Sequence, residues 1–153
     1  MELEIFIVNK DTPDKVTAEC VTLLLQQMDF IECPSTFDQV ENALQLALDL
    51  QDTTKVFAAR SSGGEIVGVL FANKGTSVAK SGYYLWINEL HVKNTERNKG
   101  VATALLNHVF EWCQGEDVAG ITLAATPDND IAGKLYYKHG FQLEQMVMYD
   151  KIF

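Results

Sequence analysis

Arg97-Asn98-Lys99-Gly100-Val101-Ala102 sits between an apolar run, Tyr83 to Val92, and an amphipathic segment, Val101 to Cys113. The first reads as a strand and the second as a helix. A polar loop between a strand and a helix start can bind an anion. The first turn of a helix carries unpaired N–H groups and the positive end of the dipole. Gly100 has no Cβ and lets a phosphate approach the backbone, and Ala102 is the next smallest choice. Arg97 and Lys99 add positive charge to an otherwise acidic chain. The chemistry expected of this element is phosphate or pyrophosphate binding. An ordinary strand-to-helix turn with a solvated basic cap has the same composition, so the loop alone does not decide. A second group with chemical potential is Glu89, the one acid between Leu85 and Val92. A carboxylate in such a strand is costly to bury, and burial raises its pKa.

The elements that must position these groups follow from periodicity. Leu3 to Val8 alternates as a first strand. Asp14 to Met28 reads as a helix, with Asp11 or Thr12 as its cap and Val21, Leu24, Leu25 and Met28 on one face. Ser35 or Thr36 caps a second helix, with Val40, Ala43, Leu44, Ala47 and Leu48 at helical spacing. Lys55–Arg60 and Glu65–Asn73 form a hairpin around Ser61-Ser62-Gly63-Gly64. Lys74 to Ser81 is expected to be a polar loop before the long strand Tyr83–Val92. The third helix gathers Val101, Ala104, Leu105, His108, Val109 and Trp112 on one face. A strand at Gly120–Ala125, a helix at Asp128–Lys138 and Gly140 as its left-handed C-cap come next. One or two closing strands are expected between Phe141 and Ile152. This order, hairpins followed by strand–helix–strand crossovers, implies α/β architecture: a mixed sheet with helices on both faces.

Bulk properties bound the rest. A chain of 153 residues, 47% hydrophobic, can bury one core, so a single domain over 1–153 is expected. A net charge of −9 argues against nucleic acid and is compatible with a cationic substrate such as a free amine. No leader, lipidation signal or membrane-length apolar run is evident, so no membrane partner and a cytoplasmic location are expected. Cys20, Cys33 and Cys113 lack metal-ligand spacing and read as small hydrophobes, and no metal is expected. A dinucleotide fingerprint of the Gly-x-Gly-x-x-Gly type is absent, which disfavours an unrelated nucleotide-binding domain.

Arg97, Gly100 and Ala102 match Arg/Gln-x-x-Gly-x-Gly/Ala, and the chain here resembles the GNAT superfamily of acyl-CoA N-acetyltransferases. A second family motif follows in order: Asn129-x-x-Ala132-x-x-Leu135-Tyr136-x-x-x-Gly140-Phe141. The run Asn88-Glu89-Leu90-His91-Val92 resembles the family's central strand. The resemblance covers the chain in order and is tightest over residues 83 to 141. Two departures stand out: Asn98 replaces a frequent Gly, and no Pro lies between Val92 and Arg97. Neither removes a backbone donor. The resemblance implies a GNAT-like, mostly antiparallel sheet of six to seven strands, with the fourth and fifth splayed apart to admit the pantetheine arm.

It also implies acetyl transfer from acetyl-CoA, as co-substrate, to a primary amine of a small molecule or peptide, by direct attack in a ternary complex. The backbone of Leu90, His91 and Val92 would pair with pantetheine. The loop from Arg97 to Ala102, with Thr103, would hold the pyrophosphate. Asn129 would bond the cofactor, cap the last helix, or both. An amine of pKa about 10.4 must lose a proton before it attacks. Glu89, directly or through water, is the candidate base. A bulge, frequent in this strand of the family, would let Asn88 or His91 face the site instead. Tyr136 is the candidate acid for the leaving thiolate, with aromatic packing as its other reading. Leu135 and Tyr137 fall on other faces of the same helix, so only one of the two tyrosines can serve. His108 and His139 read as a core residue and a helix C-terminal residue. Asp29, Glu32, Asp38 and Glu41 gather where the amine would bind. The acceptor amine is left open, and so is a homodimer. A CoA-binding sensor or scaffold of the same fold, without turnover, is the alternative function.

Overall fold

A computed structural model describes residues 2–153. The elements run β1 (Leu3–Ile7), α1 (Asp14–Phe30), α2 (Phe37–Asp49), β2 (Thr54–Ser61), β3 (Ile66–Ser77), β4 (Gly82–Val92), α3 (Val101–Gly115), β5 (Val118–Leu123) and α4 (Asp130–Lys138). A short 3₁₀ turn, Asn94–Glu96, leads from β4 into the loop before α3. The strands form one sheet in the order β1-β2-β3-β4-β5. The pairs from β1 to β4 are antiparallel, and β4 pairs with β5 in parallel. The architecture is thus the expected mixed α/β sheet, with five strands rather than six or seven.

β2 and β3 lie between two helical layers, so both of their faces are apolar. Val56, Ala58 and Val69 pack against Cys20, Val21 and Leu24 of α1 and Leu44 and Leu48 of α2. Their neighbours Phe57, Ala59 and Leu70 pack against Leu105, Leu106 and Val109 of α3. The period-two alternation of a strand sends adjacent residues to opposite cores. Gly68 on β3 lets α3 approach closely. A Cβ there would fall 2.8 Å from Val101 Cγ1 and 3.0 Å from Leu105 Cδ1. The first turn of α3 is therefore pressed onto the sheet, and this fixes the loop that precedes it.

Helix ends are set locally. Thr36 caps α2 with a reciprocal box, Thr36 Oγ1 accepting from Gln39 N–H and Gln39 Oε1 from Thr36 N–H. α1 departs from expectation: Pro13 occupies the N-cap, while Thr12 Oγ1 turns back to accept from Asn9 N–H at 3.0 Å. α4 closes at Gly140, φ +86°, with Phe141 N–H donating to Tyr136 O at 3.0 Å. The expected loop at Lys74–Ser81 is shorter, because Lys74–Ser77 continue β3 opposite Gly82–Leu85. The closing strands expected after Phe141 are absent: residues 142–153 carry no helix or strand and are exposed. A strand needs a partner, and this segment pairs with no edge of the sheet.

Candidate active site

The site begins where β4 loses its second neighbour. β5 pairs with β4 only from Tyr83↔Val118 to Ile87↔Leu123. Beyond Ile87, β4 keeps β3 as far as Gly68↔Val92, but among the described residues no strand covers its other side. The two strands splay as the family resemblance implies. The backbone of Asn88 to Val92 on the β5 side is left open to a ligand that can hydrogen-bond like a strand.

A bulge lies at the same point. Phe71 pairs with Glu89 and the adjacent Ala72 with Ile87, so Asn88 is an extra residue. Its effect is to exchange faces. Leu85 and Ile87 belong to the α3-side core, and past the bulge Leu90 and Val92 join it. Glu89 and His91 then point to the α1 side, opposite Phe71 and Val69. Unbroken alternation would have placed Glu89 beneath α3. The Asn88 side chain is exposed and meets Asn73 at 2.7 Å.

Glu89 is half-buried, and burial raises its pKa above the ordinary 4.5, while a hydrogen bond from the Gln27 side chain works the other way. His91 is 4% exposed, and burial, with the Arg97 charge, lowers its pKa to about 4. It is therefore neutral at pH 7. Its Nδ1 lies 3.1 Å from Gln27 Oε1 and its Nε2 3.2 Å from Gln26 Oε1. A neutral imidazole has one N–H, so one glutamine amide must present its NH₂. With Gln27 accepting from His91 and donating to Glu89, that amide is Gln26. Both nitrogens of His91 are then engaged, and its lone pair is not free to take a proton. Glu89 is the acid on this strand with a raised pKa and partial exposure. Sequence patterning does not single out Gln26 and Gln27. The available signal is the position of Gln27, three residues after Leu24 and seven after Cys20, which puts an amide on the buried stripe of α1.

Tyr136 enters from α4. It is half-buried and packs edge-on to Phe141 at 5.7 Å, whereas Tyr137 is 84% exposed. Burial raises the Tyr136 pKa, and the Glu89 carboxylate raises it further. The hydroxyl is thus protonated at neutral pH and lies within electrostatic reach of Glu89.

The loop before α3 completes the site. Asn98 has φ +61° and Gly100 φ +84°, both left-handed. Asn is among the few side-chain-bearing residues that tolerate this region, which accounts for its place where a glycine is frequent in the family. No side chain caps α3, whereas Thr36 caps α2 and Asn129 caps α4. The first-turn N–H groups of Val101, Ala102 and Thr103 have no intrahelical acceptor. A Cβ added at Gly100 would meet nothing within 4 Å, so the approach is open. Arg97 is braced: its Nε donates to Val92 O at 3.3 Å and its guanidinium lies 5.7 Å from the Phe30 ring. Lys99 pairs with Glu96 at 3.1 Å. This open helix end, beside an unpaired strand edge, fits a ligand that is anionic at one end and amide-bearing further along.

The other sequence candidates take structural places. Asn129 caps α4 by accepting from Ala132 N–H at 3.1 Å. His108 is half-buried against Phe57, and His139 ends α4 with Nδ1 2.8 Å from Leu135 O. Asp29, Glu32, Asp38 and Glu41 are exposed. Burial pushes the thiols of Cys20 and Cys113 up to about 12 and about 11, so neither is a nucleophile at neutral pH, while Cys33 is exposed. Among the described residues, no three metal-ligating side chains cluster, and no helix is long and apolar enough to cross a membrane.

The overall fold matches solved structures of similar size. An aminoglycoside acetyltransferase, AAC(6')-Iy in complex with the bisubstrate analogue CoA-S-monomethyl-acetylneamine, superposes with TM-score 0.83 at 20% identity, covering 99% of each chain. The same enzyme with CoA gives TM-score 0.83 at 21% identity over 98% of this chain and 95% of that one. A ribosomal-protein-alanine N-acetyltransferase from Brucella melitensis biovar Abortus 2308 gives 0.75 at 15% identity, over 99% and 100% of the two chains. No protein of curated function matches the sequence significantly. Residues 21–141, which include β4, the loop, α3 and the α4 motif, match the acetyltransferase (GNAT) family, and the chain belongs to it.

Proposed function

We propose that the protein transfers the acetyl group of acetyl-CoA to a primary amine, on a small molecule or a peptide, by direct attack in a ternary complex. The observation that carries this reading is the junction at β4. There the open backbone of Asn88–Val92, the uncapped start of α3, Glu89 and Tyr136 converge. Membership of the family supports acetyl transfer, and two neighbours of the same fold are an aminoglycoside acetyltransferase with CoA or a CoA conjugate.

Acetyl-CoA supplies an activated thioester. The loop from Arg97 to Ala102, with Thr103, holds its pyrophosphate through first-turn N–H groups and the helix dipole. Leu90 and Val92 offer backbone groups on the open side to the pantetheine amides, with Arg97 bonded to the Val92 carbonyl, while His91, whose own backbone groups face Val69 of β3, lies between them. Asn129 has its side-chain oxygen on the α4 cap, which leaves its amide NH₂ for a ligand. Glu89 takes the proton that an ammonium of pKa about 10.4 must lose, directly or through water. Its raised pKa brings its basicity closer to the working pH. A backbone N–H near Leu90 bonds the carbonyl oxygen as it gains charge. Tyr136 donates its proton to the leaving sulfur. Holding both reactants in one cleft supplies much of the rate. The net charge of −9 favours a cationic acceptor.

The test is thiol release from acetyl-CoA across a panel of polyamines, aminoglycosides, amino acids, peptide N-termini and lysyl peptides, paired with calorimetry of acetyl-CoA alone. Amine-dependent release is the expected result. Tight binding with no release on any amine would overturn the enzyme in favour of a CoA-binding module.

A further inference from the structure

We propose that Gln27, its amide fixed by His91, is a positioning residue that holds the Glu89 carboxylate ready for the amine proton. The inference rests on Glu89 as the base and adds the group on α1 that aims it. Past the bulge, Glu89 and His91 stand two residues apart on one face of β4, opposite Phe71 and Val69. Both meet the last turns of α1. His91 Nδ1 lies 3.1 Å from Gln27 Oε1, and the Gln27 side chain also bonds Glu89. One amide therefore bridges the two strand residues.

The direction of each bond follows from what each group can donate. Ionised Glu89 only accepts, so it takes an N–H of the Gln27 NH₂. Gln27 Oε1 is then turned to His91 and accepts from Nδ1–H. His91 Nε2 keeps its lone pair and accepts from the Gln26 amide. A reversed Gln27 amide would set its oxygen against the carboxylate. A His91 proton moved to Nε2 would leave Gln27 Oε1 facing a lone pair. His91 titrates at about 4, so the chain keeps its order near neutral pH.

A neutral donor suits a base. Burial raises the Glu89 pKa, and the bond from Gln27 opposes this without reversing it. A lysine or arginine at this place would hold the carboxylate but cost it basicity, and an apolar side chain would leave it free to turn. With one oxygen on Gln27, the other is left for the amine. Glu89 takes the proton there, and the nitrogen keeps the electron pair that attacks the thioester carbon. Tyr136 also faces Glu89 from α4 and is protonated at neutral pH, while the Arg97 charge bears on His91. β3 contributes the uncharged Phe71 and Val69, and α1 the two amides.

The experiment compares the parent with Gln27→Met, Gln27→Glu, Glu89→Gln and the double variant Gln27→Met with Glu89→Gln. Profiles of kcat/KM against pH, with the fastest amine of the panel, are paired with NMR titration of the Glu89 carboxyl carbon. Met removes the NH₂ at similar length. Glu keeps the shape and the acceptor for His91 but puts oxygen where the NH₂ was. Both are good helix formers at a half-buried position, so either can stand in for the other if one folds poorly. Glu89 should titrate at higher pH in both variants. Their kcat/KM should fall about three- to tenfold near neutral pH and recover as pH rises, with KM for acetyl-CoA at the parent value. With Glu89→Gln already present, Gln27→Met should add little. A carboxyl titration unmoved in both Gln27 variants would overturn the proposal whatever the rates. So would a loss uniform in pH, or one that adds to that of Glu89→Gln, as packing alone would give. Glu89→Gln without a pH-dependent defect would overturn the base and this proposal with it. That outcome is told apart from the first because the carboxyl titration needs no turnover.

Discussion

Replacing Gly100 by Asn and by Asp separates charge from backbone at the start of α3. Gly100 has φ +84°, and a Cβ there meets nothing within 4 Å. Neither side chain clashes, so the shared cost is backbone strain, about 1–2 kcal/mol for a left-handed L-residue and less for Asn or Asp. The two variants then differ by one charge. In the free protein, Asp complements the helix dipole and should be the more stable of the two by about 0.3–1 kcal/mol. With CoA the order reverses. A carboxylate about 4 Å from one phosphate charge costs about 1 kcal/mol in water and about 4 kcal/mol at an effective dielectric of 20. Because Gly100 is exposed, the lower half of that range applies to each charge of the pyrophosphate. Asp should therefore bind CoA well over tenfold more weakly than Asn, at about 1.4 kcal/mol per factor of ten. Calorimetric titration with CoA and thermal melts without it read the two quantities. The affinity gap should narrow with salt, as screening shortens from about 10 Å at 0.1 M to about 3 Å at 1 M. Equal affinities in two folded variants would refute pyrophosphate binding at this helix end.

Tyr136→Phe should lower kcat more than it raises KM for acetyl-CoA, because its hydrogen bond to the leaving sulfur strengthens in the transition state; steady-state kinetics with chemistry rate-limiting check this. Glu89→Gln should depress kcat/KM most near neutral pH, with the defect narrowing at high pH where the amine arrives unprotonated, as a pH–rate profile reads. The same variant should melt higher than the parent at neutral pH. The folded state raises the Glu89 pKa, so ionisation costs stability as pH rises from the ordinary 4.5 through the folded value, and thermal melts should lose the gain below that window. Gly68→Ala puts a methyl 2.8 Å from Val101 Cγ1 and should cost about 1–3 kcal/mol by denaturant titration, with weaker CoA binding as α3 shifts.

What could be read from the sequence was whatever a few adjacent residues decide. Thr36 with Gln39, Asn129 with Ala132 and Gly140 with its positive φ are such features, and each helix start or stop lies where its own residues put it. The loop at Arg97–Ala102 is of the same kind, since a strand, a polar turn and a helix start are contiguous. Pairing between distant segments was less legible. β3 runs on through Lys74, Gly75 and Thr76 because Leu85, Tyr84 and Tyr83 lie opposite, a reason invisible in a polar stretch that reads as loop. Residues 142–153 have a strand's composition, but a strand also needs a paired edge, and no local pattern says whether one will be met. The glutamines of α1 were hidden for the same reason, since what they touch lies more than sixty residues away on β4.

The bulge at Asn88 links the stability of the fold to its chemistry. Two registers compete for the end of β4. With strict alternation, Glu89 and His91 would follow Leu85 and Ile87 under α3, into a core that includes Leu105, Leu106 and Val109. Leu90 and Val92 would then turn away from it. Inserting Asn88 reverses this. Leu90 and Val92 are gathered by the α3 core, each side chain contributing up to about 1.5–3 kcal/mol on full burial. Glu89 and His91 meet the amides of Gln26 and Gln27, so neither is buried without a hydrogen-bond partner. The cost is one residue outside the ladder, and it falls where β5 has already ceased to pair. Hydrophobic burial thus selects the register that turns the carboxylate toward α1. The raised carboxylate follows from this insertion, and the end of β5 at Leu123 leaves the strand edge open at the same point.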